Sequence, residues 1–369
     1  MEQYKFENIN KIPVRTYRWL QVNDTTLKDV YLPEHQKYNK DYKPTSAPLG
    51  ISVQSSLDNV IFIKDNQEYI YGISKELTLS AEQQHNSGLV IQSQRDVKTS
   101  EPLVINYTSD SNNNVIIDKN VIIAEEDSSM TIIMNYSSQD NSAAFHNGIT
   151  KIYAKSGSKV TVIKVQSFNN SSNHFDAILA LVNDNAQVNV ISIDLGGKNS
   201  ITSNHTYLIG ENASSFADTV YFGDGKRYID MNYVTSHRGR RVNGNILVKG
   251  VLMDECKKLF RGTIDFKKGA SRSKGKEEEY CMLLSPKAKS HAVPLLLCDE
   301  DDVEGEHAAS AGRIDEDKLF YLMSRGFNEI EAKKIFIEAS FAPILDKIPL
   351  EDLRTSIKEE IERRLKNEG

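Results

Sequence analysis

Four segments run from an apolar residue, through about six small or polar residues, to another apolar residue: IAEEDSSM, YAKSGSKV, LVNDNAQV and IGENASSF. They end at Met130, Val160, Val188 and Phe216, in steps of 30, 28 and 28 residues. A fixed period of this size predicts a solenoid, in which each unit buries its apolar face only by stacking on its neighbours. β-Branched runs recur around these segments, at Val115–Ile117, Val121–Ile123, Thr131–Met134, Val160–Val165, Ile178–Val182, Val188–Ile193, Phe216–Phe222 and Ile246–Val248. Bounded by Asn, Asp, Ser and Gly, such runs read as strands and turns. No helical pattern separates them, which excludes βαβ winding. The expected fold is mainly β, with a right-handed parallel β-helix over residues 96–313.

The flanks differ in texture. Residues 1–95 form a mixed region that Pro13, Pro33, Pro44 and Pro48 break into loops and short helices. Trp19, the only tryptophan, is expected to pack this region down. Past Ala308 the period changes. Asp315 can cap a helix through Leu319, Phe320, Leu322 and Met323 that stops at Gly326. Asn328 and Glu331 have the spacing of a capping-box variant for a second helix. Pro349 opens a third, with Leu353, Ile357, Ile361 and Leu365 on one side. Residues 314–369 therefore read as a small helical domain whose charged third helix can dock a partner.

Charged residues at 26% and hydrophobic ones at 39% describe an ordinary folded protein. A net charge of −6 gives no basic face for nucleic acid. No apolar run approaches the roughly 20 residues that span a bilayer, and the first residues lack the apolar core of a secretory signal. A cytoplasmic location is expected. The three cysteines, Cys256, Cys281 and Cys298, make no disulfide framework and no zinc cage. They cannot by themselves supply four thiolates to an iron–sulfur cluster.

Walker A, GxGxxG, GxSxG and HExxH motifs are missing, so nucleotide hydrolysis and serine hydrolysis have no residues to rest on. A β-helical acyltransferase would need a six-residue repeat. A β-helical polysaccharide lyase would need clustered carboxylates, for which Asp218, Asp224 and Asp230 are the available set. His35, His85, His146, His174, His205 and His237 show neither i, i+4 nor metal-cluster spacing, and are expected at the surface or in turns. Cys281 and Cys298 read as filler in apolar strands, whereas the polar context of Cys256 suggests exposure. His307 stands apart, beside Glu306 and between the apolar run Val293–Leu297 and the helix near Asp315. An imidazole at such a junction can bind a metal or shuttle a proton.

From Phe260 onward the chain reads FRGTIDFKKGASRSKG, then CMLLSPKAKSHAVPLLLCDEDDVEGEHAASAG, then IDEDKLFYLMSRGFNEIEAKKIFIEASFAPILDKIP. In order and spacing these segments resemble the C-terminal half of the SufB/SufD family of iron–sulfur cluster assembly scaffolds, whose fold is a β-helix. The likeness is looser over the first 95 residues. SufB-like members carry a cysteine in QCDSxLI where this chain has Glu279, with Cys281 two residues later, and an EHE triplet where it has Glu306, His307 and Ala308. The SRG after LFYLM and the absence of an EGSVG-like tail lean toward SufD. Many SufD sequences have a cysteine where this chain has Gly305.

The resemblance implies a non-catalytic SufD subunit of a SufB–SufC–SufD complex. SufC, an ABC-type ATPase, would grip the C-terminal helices, and SufB would pair with the late strands near residues 260–297. His307, with Glu306 and Cys281 as further candidates, would ligate a nascent iron–sulfur cluster shared across the seam, none being held tightly by this chain alone. The alternatives are a SufB-like homodimer and the β-helix enzyme. An isolated chain with an exposed edge is also open to self-pairing.

Overall fold

The computed structural model describes residues 6–16, 18–57 and 69–366. Among the described residues it is a parallel β-solenoid of about eight coils with four α-helices. Fifteen strands wind it: β5 (Leu103–Ser109), β6 (Val115–Ala124), β7 (Ser129–Ser138), β8 (Phe145–Ala154), β9 (Lys159–Ser167), β10 (Asn173–Val182), β11 (Gln187–Asp194), β12 (Asn199–Leu208), β13 (Ser214–Gly223), β14 (Tyr228–His237), β15 (Asn243–Leu252), β16 (Lys257–Phe266), β17 (Ser273–Leu283), β18 (Lys289–Cys298) and β19 (Val303–Arg313). Even-numbered strands build one sheet and odd-numbered strands the other, each pairing in parallel with the strand two places on. The chain thus alternates between sheets at every corner and needs no crossover helix.

The corners explain the Asn, Asp and Gly of the repeat. Asp127, Gly157, Asn185 and Asn212 adopt left-handed φ values of 56°, 70°, 56° and 57°, a conformation that costs a Cβ-bearing residue least when it is Asn or Asp. They stack coil on coil through backbone bonds: Asp127 N–H to the Ser156 carbonyl, Gly157 N–H to Asp184, and Asn185 N–H to Glu211. Met130, Val160 and Val188 are true structural equivalents. The fourth copy is one residue out, because Val188 pairs with Ser215 and not with Phe216.

Inside the first coils, alternate residues such as Ile132, Val162, Val190, Ile152 and Ala180 form the apolar core. Tyr38 and Tyr42 are buried in that same cluster and plug its N-terminal end, Tyr42 stacking on Tyr107 with ring centroids 5.3 Å apart. At that end β3 (Ile51–Ser55) runs antiparallel to β4 (Leu89–Ser93) and terminates the even sheet.

The N-terminal region is more extended than expected, with short strands and one helix, α1 (Lys75–Gln83), capped by Ser74. Its antiparallel pair β1 (Phe6–Ile9) and β2 (Thr25–Leu27) lies on the outer face of the even sheet, where Phe6, Ile9 and Leu27 pack with Phe145, Phe175 and Ile201. Trp19 does not anchor it. That ring is 83% exposed in a single 3-10 turn, and buried Val22 packs against Leu259 and Val293 in its place.

The C-terminal helices start where their caps place them. Asp315 caps α2 (Glu316–Ser324), and Asn328 with Glu331 forms a complete capping box on α3 (Glu329–Leu345). α4 (Glu351–Lys366) follows Pro349. Ile337, Phe341, Ile357, Ile361 and Leu365 of α3 and α4 cover Ile163, Ile193, Val220, Phe222 and Val251 on the outer face of the odd sheet. Lys347 fastens this contact to Asp218 at 2.5 Å. α2 has no buried residue. Among the described residues no helix is long and apolar enough to cross a membrane.

Candidate cluster-ligand site at the open end of the solenoid

The last coil, β18 and β19, has no coil above it. β19 is the outermost strand of the odd sheet, and all of its residues except Val303 are exposed. His307 is therefore not at a strand-to-helix corner. It lies inside an eleven-residue strand, because β19 continues through the small residues Ala308, Ala309, Ser310 and Ala311, which pair in register with Glu278, Glu279, Tyr280 and Cys281 of β17.

Period-two alternation sorts the candidates. On β17, Glu277, Glu279 and Cys281 are buried and point into the solenoid. His307 pairs with Glu277, so it takes the same inward-facing column, one layer up and open to solvent. Glu306 belongs to the opposite face, where its carboxylate lies 3.8 Å from the Lys276 ammonium. Cys281 pairs with Ala311, four residues along from His307, a displacement of roughly 13 Å along the strand. The fold thus brings His307 over Glu277 and leaves Glu306 and Cys281 apart from it. Among the described residues no three His, Cys, Asp or Glu side chains converge as a metal cage.

Beneath the last coil the polar groups are of two kinds. Glu279 is ion-paired with Lys258 and accepts a hydrogen bond from the Tyr221 hydroxyl at 3.2 Å. Lys258 also donates to the His291 carbonyl at 3.1 Å. Glu277, 1% exposed, has no partner for either carboxyl oxygen. Burial first, and the Glu279 charge second, push its pKa up to about 8. Burial also raises the Cys281 thiol. Cys256 proves fully buried, its thiol pushed up to about 12, because its neighbours in sequence turn outward while its side chain joins the core. Cys298, on the uncovered last coil, is exposed.

Four of the scattered histidines are not at the surface. His146, His174, His205 and His237 are buried within strands. His146 and His174 stack with ring centroids 4.6 Å apart and Nδ1 atoms 2.8 Å apart, and His146 Nε2 lies 2.6 Å from Asp118. Lys164, reaching across from the odd sheet, pairs with Asp176 at 2.6 Å. Gly148 makes room for this network, since a Cβ there would stand 2.8 Å from the Asp176 carboxylate and 3.0 Å from that of Asp118. The sequence carries a signal for this cluster: Asp118, His146 and His174 are spaced by 28 residues, one coil of the solenoid, a period longer than i, i+4 or metal-cluster spacing. The carboxylate set available to a lyase is dispersed, with Asp218 on Lys347, Asp224 on Arg227 and Arg364, and Asp230 on Arg261.

Residues 107–340 match the family described as "SUF system FeS cluster assembly, SufBD core domain". The chain belongs to the SufBD family. It is 30% identical over 283 residues to the iron–sulfur cluster assembly protein SufD of Bacillus subtilis, covering 76% of this chain and 65% of that protein. It is also 29% identical over 270 residues to a SufBD family protein of Pyrococcus horikoshii, covering 72% and 59%. A SufBD family protein of Staphylococcus saprophyticus is 24% identical over 338 residues, 90% of this chain and 68% of its own length. The chain thus spans less than two thirds of the Bacillus and Pyrococcus relatives. Within the family it is SufD-like, and the SufBD core match takes in the solenoid from the end of β5 through β19 together with α2 and most of α3.

Proposed function

We propose that this chain is the SufD-like, non-catalytic scaffold subunit of a cytoplasmic SufB–SufC–SufD complex that assembles iron–sulfur clusters. The observation that carries this reading is the uncapped end of the solenoid. β19 presents eleven residues with one free edge, and open strand edges are templates for pairing with another chain. A SufB subunit pairing there covers the last coil and encloses His307 in the seam, where its imidazole serves as a ligand to the nascent cluster. The cluster itself is cargo, completed by donors from the partner.

SufC, the ATPase, docks on the helical face that the solenoid does not use. α2 exposes Phe320 at 72% and Tyr321 at 56%, beside Met323 and Phe327. Large aromatic side chains in that state are typical anchors of a protein interface. α3 and α4, packed on the odd sheet, would transmit the motion of the ATPase to the solenoid.

The test is reconstitution with SufB and SufC from the same genome, followed by iron and sulfide analysis. His307→Ala should leave the ternary complex intact and abolish cluster formation. Full cluster yield with His307→Ala would overturn the ligand role. Recovery of this chain only as a homodimer that builds clusters without SufB would favour the SufB-like alternative.

A further inference from the structure

We propose that Glu277 and His307 together form a ferrous-ion site, the Glu277 carboxylate being a second protein ligand beneath the imidazole. The proposal rests on the reading of His307 as a seam ligand and adds to it a residue that is buried in the isolated chain.

The surroundings of Glu277 leave its carboxyl group one direction in which to find a counterpart. Ile246, its partner on β15, is apolar and lies below it. Across the solenoid stands Gly262 of β16, where any Cβ would clash with the Glu277 carboxyl, so the carboxyl fills a space that only glycine provides. Glu279, on the same strand face, is already committed to Lys258 and Tyr221. Above it lies His307, in register on β19 and exposed. Both carboxyl oxygens are sealed and unpartnered, a rare state for a buried polar group. Their one polar neighbour in the column is the imidazole at the mouth.

One imidazole nitrogen and one carboxylate oxygen suit a divalent iron ion better than a soft thiophilic one. Two protein ligands leave the remaining positions free for water, for sulfide and for donors from the subunit across the seam. That fits a site through which iron passes, and it fits the lack of a three-ligand cage among the described residues.

The full chain can be titrated anaerobically with Fe2+ alone while the His307 ring Cε1–H signal is followed by NMR, the signal being assigned by its loss in His307→Ala. The wild type should show paramagnetic shift and broadening at sub-millimolar Fe2+. Glu277→Gln should need at least about tenfold more. Glu277→Leu, which removes the oxygen donors and keeps a comparable volume, should behave as Glu277→Gln does and so guard against a local packing effect. An unchanged titration in both variants, or no response in the wild type, overturns the inference. Weakened association with SufB at unchanged iron affinity also overturns it, since the carboxyl would then receive a partner's ammonium or guanidinium group. Cluster assembly by His307→Ala in the complex tests the underlying reading separately, so the two can fail independently.

Discussion

Arg261 and Asp230 are both fully buried and ion-paired across adjacent strands of the even sheet. The Asp230 carboxylate also accepts from Thr25 and, at 2.8 Å, from the Asn10 amide, both on the N-terminal region. Arg261 donates further to the Val22 carbonyl at 3.4 Å. The arginine of the FRGTIDF segment therefore clamps the N-terminal region to the solenoid, on the face opposite the interior. Removing one partner of such a pair strands the other charge, at a cost of about 3–5 kcal/mol. Arg261→Ala should lower Tm markedly and make the chain before Val30 the first site of limited proteolysis. A variant as stable and protease-resistant as the wild type would dispose of the clamp.

Glu277 sets the sign of one pH response. Its carboxyl titrates at about 8 in the folded chain, against an ordinary value of 4.5. Between those limits the folded state holds a proton that the unfolded state has released, so raising the pH favours unfolding. With roughly 1.4 kcal/mol per pKa unit, stability should fall by a few kcal/mol from pH 4.5 to 8. Glu277→Leu should flatten that limb. Parallel Tm-versus-pH curves for variant and wild type would refute the assignment.

The buried histidines act at the other end of the scale. Burial lowers His205 and His237 to about 4 and His174 well below its usual value, with the His146 charge adding to the effect on His174. An unfolded chain takes up these protons below about 6.5 while the folded one refuses them. Stability should therefore drop as pH falls from 6.5 toward 4. His174→Asn should give a shallower acid limb in denaturation curves. A limb of unchanged steepness would remove His174 from the account.

Exposed side chains on α2 allow the docking proposal to be tested without unfolding. Deleting α3 and α4 would uncover Ile163, Val220 and Phe222 of the odd sheet, so truncation confuses binding with stability. Phe320→Ser with Tyr321→Ser should leave the unfolding free energy unchanged within about 0.5 kcal/mol. SufC affinity should weaken by at least tenfold, about 1.4 kcal/mol. Wild-type affinity in the double variant would move the ATPase contact elsewhere.

The coil repeat was legible because each corner needs a left-handed residue, which places Asp127, Gly157, Asn185 and Asn212 at near-constant spacing. The helix caps at Asp315 and Asn328 were legible for the same reason, a local geometry with a local residue preference. The interior of the solenoid was harder to read. Whether Cys256 or His174 faces inward depends on strand register, which no short window of sequence records. In the sequence Glu277 is one acid among three in the run GKEEEY, with nothing local to single it out. Its burial follows only from pairing with Ile246 below and from the space at Gly262 across the barrel. Trp19 misled in the other direction, since size and rarity do not decide burial when Val22 already fills the contact.

The two ends of the solenoid are unequal: Tyr38 and Tyr42 stopper one, and among the described residues nothing covers the other. A rod with a single sticky tip can join only one mate end to end, whatever docks on its flank. Such units make finite pairs and cannot add head to tail into a growing fibre, so the stopper at the far end limits the size of the assembly as firmly as the free edge starts it.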